Sequence, residues 1–225
     1  MTSKNERNGQ DAPRDGGRRY ATAGTLAVGG ALALGAAATW MHRRPATVEA
    51  MPEAGGPIPD VPLVTHDGRS VRFYSDLVRN KVVFINMMYA QCSDQCPTMT
   101  QNLRRVHEAL GPRAGRDVFM YSITLLPEFD RPADLDAYMR AQGAGWTFLT
   151  GSKQDVELLR RTLGFSDPDP QLDADITQHT GMVRVGNDAL DRWTMVPAQV
   201  HPNLILECLM SVDPVTRAKG RLRVT

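Results

Sequence analysis

The chain has 225 residues, 42% of them hydrophobic and 23% charged, with a formal net charge of +1. That balance excludes a wholly disordered protein, and the absence of a basic excess removes any electrostatic case for nucleic acid. Three cysteines are too few for a disulfide-framework mini-protein, and an odd number cannot all pair within one chain.

Residues 1–44 read as a leader. Met1 to Arg19 is polar and ends on Arg18-Arg19; residues 20–41 carry no charge and are mostly Ala, Gly, Leu and Thr; His42-Arg43-Arg44 closes the stretch. The apolar part is long enough to span a bilayer as a helix. Two fates stay open: a retained signal anchor, or a cleaved signal with Ala36-Ala37-Ala38 as the small-residue cleavage site. Arg18-Arg19 also allows twin-arginine export, although Ala21 and Thr22 stand where bulky apolar residues are usual. Basic residues flank both ends and do not settle orientation. A buried Ala-rich helix is the competing reading, and the polar leader and basic flanks count against it. The expectation is a cell-envelope protein, either anchored in the inner membrane with its domain in the periplasm or released there. Residues 45–59 hold Pro, Gly, Ala and Glu without periodicity and read as a linker. Residues 60–225 then form one domain of comfortable size for a single core.

Val61 to Thr65 and Ser70 to Tyr74 predict a hairpin around Asp67-Gly68, and Ser75-Asp76-Leu77 begins a short helical turn. Lys81 to Tyr89 is a continuous apolar run, the mark of a strand buried on both faces. After Pro97 the period changes: Met99, Leu103, Val106 and Leu110 fall at helical spacing, and Gly111-Pro112 stops the helix. Val118 to Thr124 predicts a second strand. Asp130 reads as the cap of a helix with Pro132 in its first turn and Leu135, Tyr138 and Met139 inward. Trp146 to Thr150 is a third strand. Ser152, with Asp155 three residues on, signals a helix through Leu163 ended by Gly164. An acidic stretch from Phe165 to Gln178 reads as a solvated loop, or as a flap carrying His179. A hairpin of Met182–Val185 and Leu190–Val196 turns at Gly186-Asn187-Asp188, and Pro202 opens a last apolar helix to Val212. No internal repeat, glycine-rich phosphate loop or GxSxG elbow is present. Strands alternating with helices predict parallel βαβ units, and the late hairpin adds antiparallel strands. The fold class is α/β: a thioredoxin-like mixed sheet flanked by helices, with an N-terminal hairpin, a late β-hairpin, and a transmembrane or signal helix before it.

Cys92 and Cys96 fall between a buried strand and the next helix, the edge where an open α/β sheet gathers functional groups. A helix N-terminus lowers a thiol pKa, and a spacing of four puts both sulfurs on one face. Two soft thiolates side by side suit copper or zinc, and the same pair could close to a disulfide. A metal site needs a further ligand, and His179, between the acidic loop and a strand, is the best candidate. His42, His66, His107 and His201 read as surface or satisfied-core residues. Met87 and Met88 point to opposite faces of a strand and Met99 lies on the helix stripe, so core packing is the simpler reading for each. Asp94 reads as a helix cap, and Cys208 as a buried inert thiol among Leu204, Ile205 and Leu209.

The chain resembles the Sco/SenC family of exported copper proteins linked to cytochrome c oxidase assembly. Val82 to Pro97 (VVFINMMYAQCSDQCP) is similar to that family's strand-turn-CxxxCP pattern, with Asp94 at its middle acidic position. Leu126 to Pro132 resembles its acidic Pro-Glu turn, and Phe148-Leu149-Thr150-Gly151 its Leu-Thr-Gly segment. Gln178-His179-Thr180 falls where the family has Asp-His-Ser/Thr. The resemblance spans about Val61 to Leu209. It implies copper, Cu(I) or Cu(II), held by Cys92, Cys96 and His179, and delivery of that copper to the copper A centre of the oxidase. The alternative it allows is a thiol–disulfide oxidoreductase, with Cys92 and Cys96 redox active, that reduces the oxidase copper cysteines or acts in redox signalling. A third reading is an exported binding module with a structural disulfide. The implied partners are the copper A-containing oxidase subunit, another copper chaperone or a thioredoxin-like reductant, and the membrane. The chain departs from the pattern at Ser93, where Pro is usual, at Leu126, where Asp is usual, and at Gln178. Losing the Asp before the histidine removes a carboxylate from beside the imidazole, which bears on metal affinity and redox poise.

Overall fold

The computed structural model describes residues 57–92, 95–175, 181–220 and 222–224. Seven strands form one mixed sheet: β1 (Pro62–Thr65), β2 (Ser70–Arg72), β3 (Val82–Met88), β4 (Val118–Thr124), β5 (Thr147–Gly151), β6 (Met182–Asn187) and β7 (Arg192–Pro197). Their spatial order is β2-β1-β5-β4-β3-β6-β7. The βαβ logic read from the alternation holds: β3 runs parallel to β4, and β4 to β5. β1, β6 and β7 join antiparallel.

The apolar run of β3 buries both faces as predicted. Phe84 and Met88 enter one apolar cluster; Val83, Ile85 and Met87 enter the other. The first cluster is covered by α1 (Gln95–Leu110), α2 (Pro132–Gln142) and α5 (Pro202–Val212). The second is covered by α3 (Lys153–Thr162) and by a π-helical turn over Phe73–Val78. Met99, Leu103, Val106 and Leu110 of α1 are all buried, as their period required. Ser152 caps α3 by accepting the Asp155 N–H at 3.1 Å.

Several expectations are corrected. β2 ends at Arg72, and the chain from Phe73 coils because Phe73 and Val78 pack under the sheet. The late hairpin does not turn at Gly186: β6 runs on through Asn187, and the turn is a 3₁₀ segment, Asp188–Leu190, closed by Asp191 at φ 48°. The acidic stretch is not simply a solvated loop. It contains α4 (Pro170–Ala174), and Asp173 accepts from Arg160 through both carboxylate oxygens, at 2.5 and 2.7 Å. Those bonds hold the Asp173 carboxyl down at about 2. A further helix, α6 (Pro214–Ala218), follows α5 and is capped by Asp213, whose carboxylate also takes Arg113 at 3.0 Å.

Residues 20–41, read above as a membrane or signal helix, lie outside the described residues. Among the described residues no helix is long and apolar enough to cross a membrane.

Candidate metal centre

The pairing of β3 ends at Met88, opposite Thr124 of β4. The chain then reverses, with the Cys92 N–H donating to the Tyr89 carbonyl at 3.2 Å. It enters α1, where Cys96 is the second residue. Cys96 is 0% exposed and Cys92 7%. The Cys96 backbone N–H, one of the first-turn amides that a helix leaves without an internal acceptor, donates to Cys92 Sγ at 3.4 Å. The two side chains are also hydrogen-bonded to each other, and burial first, then that bond, pushes the Cys96 thiol up. A hydrogen bond with the Tyr89 backbone pulls the other way.

The surroundings are apolar. Met88 and Met99 belong to the same buried cluster as both cysteines, whereas Met87 faces the opposite side of the sheet. Thr100, one turn after Cys96, is hydrogen-bonded to the Tyr138 hydroxyl at 3.0 Å. Burial pushes that phenol up to about 12, and both cysteines act on it in the same direction. At the outer rim Gln199 Nε2 donates to Gln95 Oε1 at 2.9 Å. Gly181, at φ 60°, lies against the same Gln95 side chain and against Met99.

Of the three residues read as ligands, Cys92 and Cys96 are brought together. His179 lies outside the described residues, as do His42, Ser93, Asp94 and Gln178. Two residues after His179 the chain is at Gly181, beside Gln95. Among the described residues no group of three or more His, Cys, Asp and Glu is placed to hold a metal ion. The donor types nonetheless suit a soft metal: two buried sulfurs at a helix N-terminus in an apolar cluster.

The other histidines have ordinary roles. His66 Nδ1 accepts the Phe148 N–H at 3.2 Å, and His201 Nδ1 accepts the Asn203 N–H at 3.2 Å as the cap of α5. His107 packs on the Trp146 ring, with centroids 5.8 Å apart, and burial lowers its pKa. Cys208 is half-buried rather than buried, and its neighbour Leu204 is largely exposed.

One residue at this edge was misread from sequence. Asp130 does not cap α2. Arg131 occupies the cap position, and the Asp134 carboxylate accepts its N–H at 3.0 Å. The Asp130 side chain turns inward, 1% exposed, and Oδ2 accepts from the Ala90 N–H at 2.9 Å and from Thr124 Oγ1 at 2.5 Å. Nothing in the local sequence signals this bond, because its partner Ala90 is 40 residues away.

A sheet of this topology with a cysteine pair between an interior strand and its following helix defines a thioredoxin-like dithiol domain. The chain matches the SCO1/SenC family over residues 58–212 and belongs to that family, which bears out the resemblance read from its motifs. A candidate copper-binding protein of Stutzerimonas stutzeri is 27% identical over 107 residues, 48% of this chain and 52% of that protein. The chain thus spans about half the length of this curated relative. Bradyrhizobium japonicum ScoI with copper bound is 23% identical, with a TM-score of 0.54 over 70% of this chain and 96% of that one. Yeast Sco1 with copper bound gives 22%, 0.55, 75% and 96%. BsSco, a Sco-family cytochrome c oxidase assembly protein in which a disulfide switch was identified, gives 20%, 0.54, 71% and 96%. At these identities the likeness is one of fold.

Proposed function

We propose that this chain is a copper-binding protein that delivers copper to the copper A centre during cytochrome c oxidase assembly, with Cys92, Cys96 and His179 as ligands. In this reading residues 1–44 export it and residues 20–41 anchor it or are cleaved, residues 45–59 form a linker, and residues 60–225 work in the periplasm. The oxidase subunit bearing copper A is its partner.

The observation that carries the proposal is the cysteine pair itself. Cys92 Sγ already accepts a helix N-terminal N–H at 3.4 Å, a contact that favours thiolate over thiol. Cys96 is fixed one helical turn away among apolar side chains. Membership of the SCO1/SenC family, and the copper bound by two structural relatives, support copper as the metal. Gly181 beside Gln95 supports His179 as the third ligand, since only Thr180 separates the two residues. The oxidoreductase alternative uses the same cysteines, with Cys92 as the attacking sulfur, and does not need His179.

The raised thiol pKa sets a pH dependence. Copper binds the thiolate, so binding must expel the Cys96 proton, and lowering the pH opposes binding. Titration of reduced full-length protein is expected to give one copper per chain with a thiolate-to-Cu(II) charge-transfer band. Its affinity should rise about tenfold per pH unit for each thiol proton expelled, after correction for the competitor's own protonation. A protein that binds no copper, or binds it equally well across neutral pH, contradicts the proposal.

A further inference from the structure

We infer that Asp130 is a positioning residue for Cys92: its buried carboxyl group holds the strand-to-helix turn in the shape that aims the sulfur at the Cys96 amide. The inference rests on the cysteine pair being the working site. Two bonds tie the end of β3 to the segment after β4. The first is Leu125 N–H to the Met88 carbonyl at 2.7 Å, at the point where the sheet ladder stops. The second is Ala90 N–H to Asp130 Oδ2 at 2.9 Å, two residues further on. Asp130 therefore carries strand-like restraint past the last paired residue and into the turn.

The anchor is itself braced. Thr124 Oγ1 donates to the same Asp130 oxygen at 2.5 Å and accepts the Leu126 N–H at 2.9 Å. One carboxyl oxygen thus joins the end of β4 to the cysteine turn. From Ala90 the chain reaches Cys92 in two residues, and Cys92 closes onto the Tyr89 carbonyl. The bond from the Cys96 N–H to Cys92 Sγ depends on that closure. Buried donors need acceptors, so removing the carboxyl leaves the Ala90 N–H and the Thr124 hydroxyl to find other partners, and the turn opens.

The test uses reduced full-length protein, with alkylation of Cys92 and of Cys208 followed in the same molecule by mass spectrometry. At a pH high enough to ionise Cys92 in parent and variant alike, so that the rate reads access and not thiolate fraction, Asp130→Ala is expected to speed Cys92 alkylation about tenfold, the factor corresponding to one lost hydrogen bond to a carboxyl group, with Cys208 unchanged. Asp130→Asn keeps an oxygen acceptor and should hold the rate within about threefold of the parent. The copper charge-transfer band should change in Asp130→Ala and persist in Asp130→Asn. A folded Asp130→Ala protein with the parental Cys92 rate overturns the inference. Should Asp130→Ala not fold, Thr124→Val removes only the brace and must speed Cys92 alkylation about threefold; an unchanged rate again overturns it. If the parent protein binds no copper, the copper proposal fails, while the alkylation rates still decide the role of Asp130.

Discussion

Cys96→Ser is expected to abolish the thiolate-to-Cu(II) band of the full-length protein and to weaken copper binding by more than about 100-fold. Disturbing a partner outside the ligand set commonly costs about 10–100-fold in metal affinity, and loss of a sulfur ligand costs more. Serine is nearly isosteric, so the packing of position 96 within its apolar cluster survives the change. What is lost is a soft donor at the innermost position of the pair. Cys92→Ser should behave alike, because its sulfur is the one that receives the α1 amide. His179→Ala should alter the band and lower the affinity, whereas Cys208→Ser, a half-buried change in α5 outside the ligand set, should change neither. The check is a competition titration with a chromophoric chelator, read beside the absorption spectrum. A parental band in Cys96→Ser would remove the dithiol from the copper site. Retained thiol exchange with a copper A domain in His179→Ala would shift the balance to the oxidoreductase alternative.

Gly186→Val should destabilise the fold by about 3 kcal/mol, near the upper end of what overpacking costs. Gly186 lies within β6, directly opposite Trp193 of β7, and an added Cβ would fall 2.0 Å from the indole ring. The ring lies flat over the glycine and carries the Arg184 guanidinium on its face, 5.1 Å from the ring centroid. A valine must displace the ring and lose that stacking, in the strand that leads out of the segment bearing His179. Urea unfolding of the full-length protein reads the cost as a fall in midpoint. In a Trp193→Ala background the same substitution should cost much less, because the two residues share one space. Equal costs in the two backgrounds would show that the indole is not what excludes a side chain at Gly186.

The backbone plan was legible where a single physical signal dominated. Val118–Thr124 is a strand with the bounds read from its apolar run. α1 follows from the period of Met99, Leu103, Val106 and Leu110, and the opposed faces of Met87 and Met88 follow from strand geometry. The cysteine pair was legible as a motif. What escaped depends on partners distant in sequence. Gly186 looks like a turn residue because Asn187 and Asp188 follow it, yet the Trp193 ring seven residues on makes it a strand glycine. Asp130 looks like a helix cap because Pro132 follows, yet the Ala90 amide claims its carboxyl group. The acidic stretch looks solvated because its charges are dense, yet Arg160 on α3 recruits Asp173 and fixes α4. α6 is the exception. Asp213-Pro214 is a readable cap-and-proline start, hidden only because the apolar run ends at Val212.

X-ray absorption of the Cu(I)-loaded full-length protein tests the copper site most directly. The expected spectrum has two sulfur scatterers and one imidazole nitrogen per copper in the parent protein, with the nitrogen lost in His179→Ala and one sulfur lost in Cys96→Ser. A copper environment of nitrogen and oxygen alone, or one unchanged by either substitution, would contradict it.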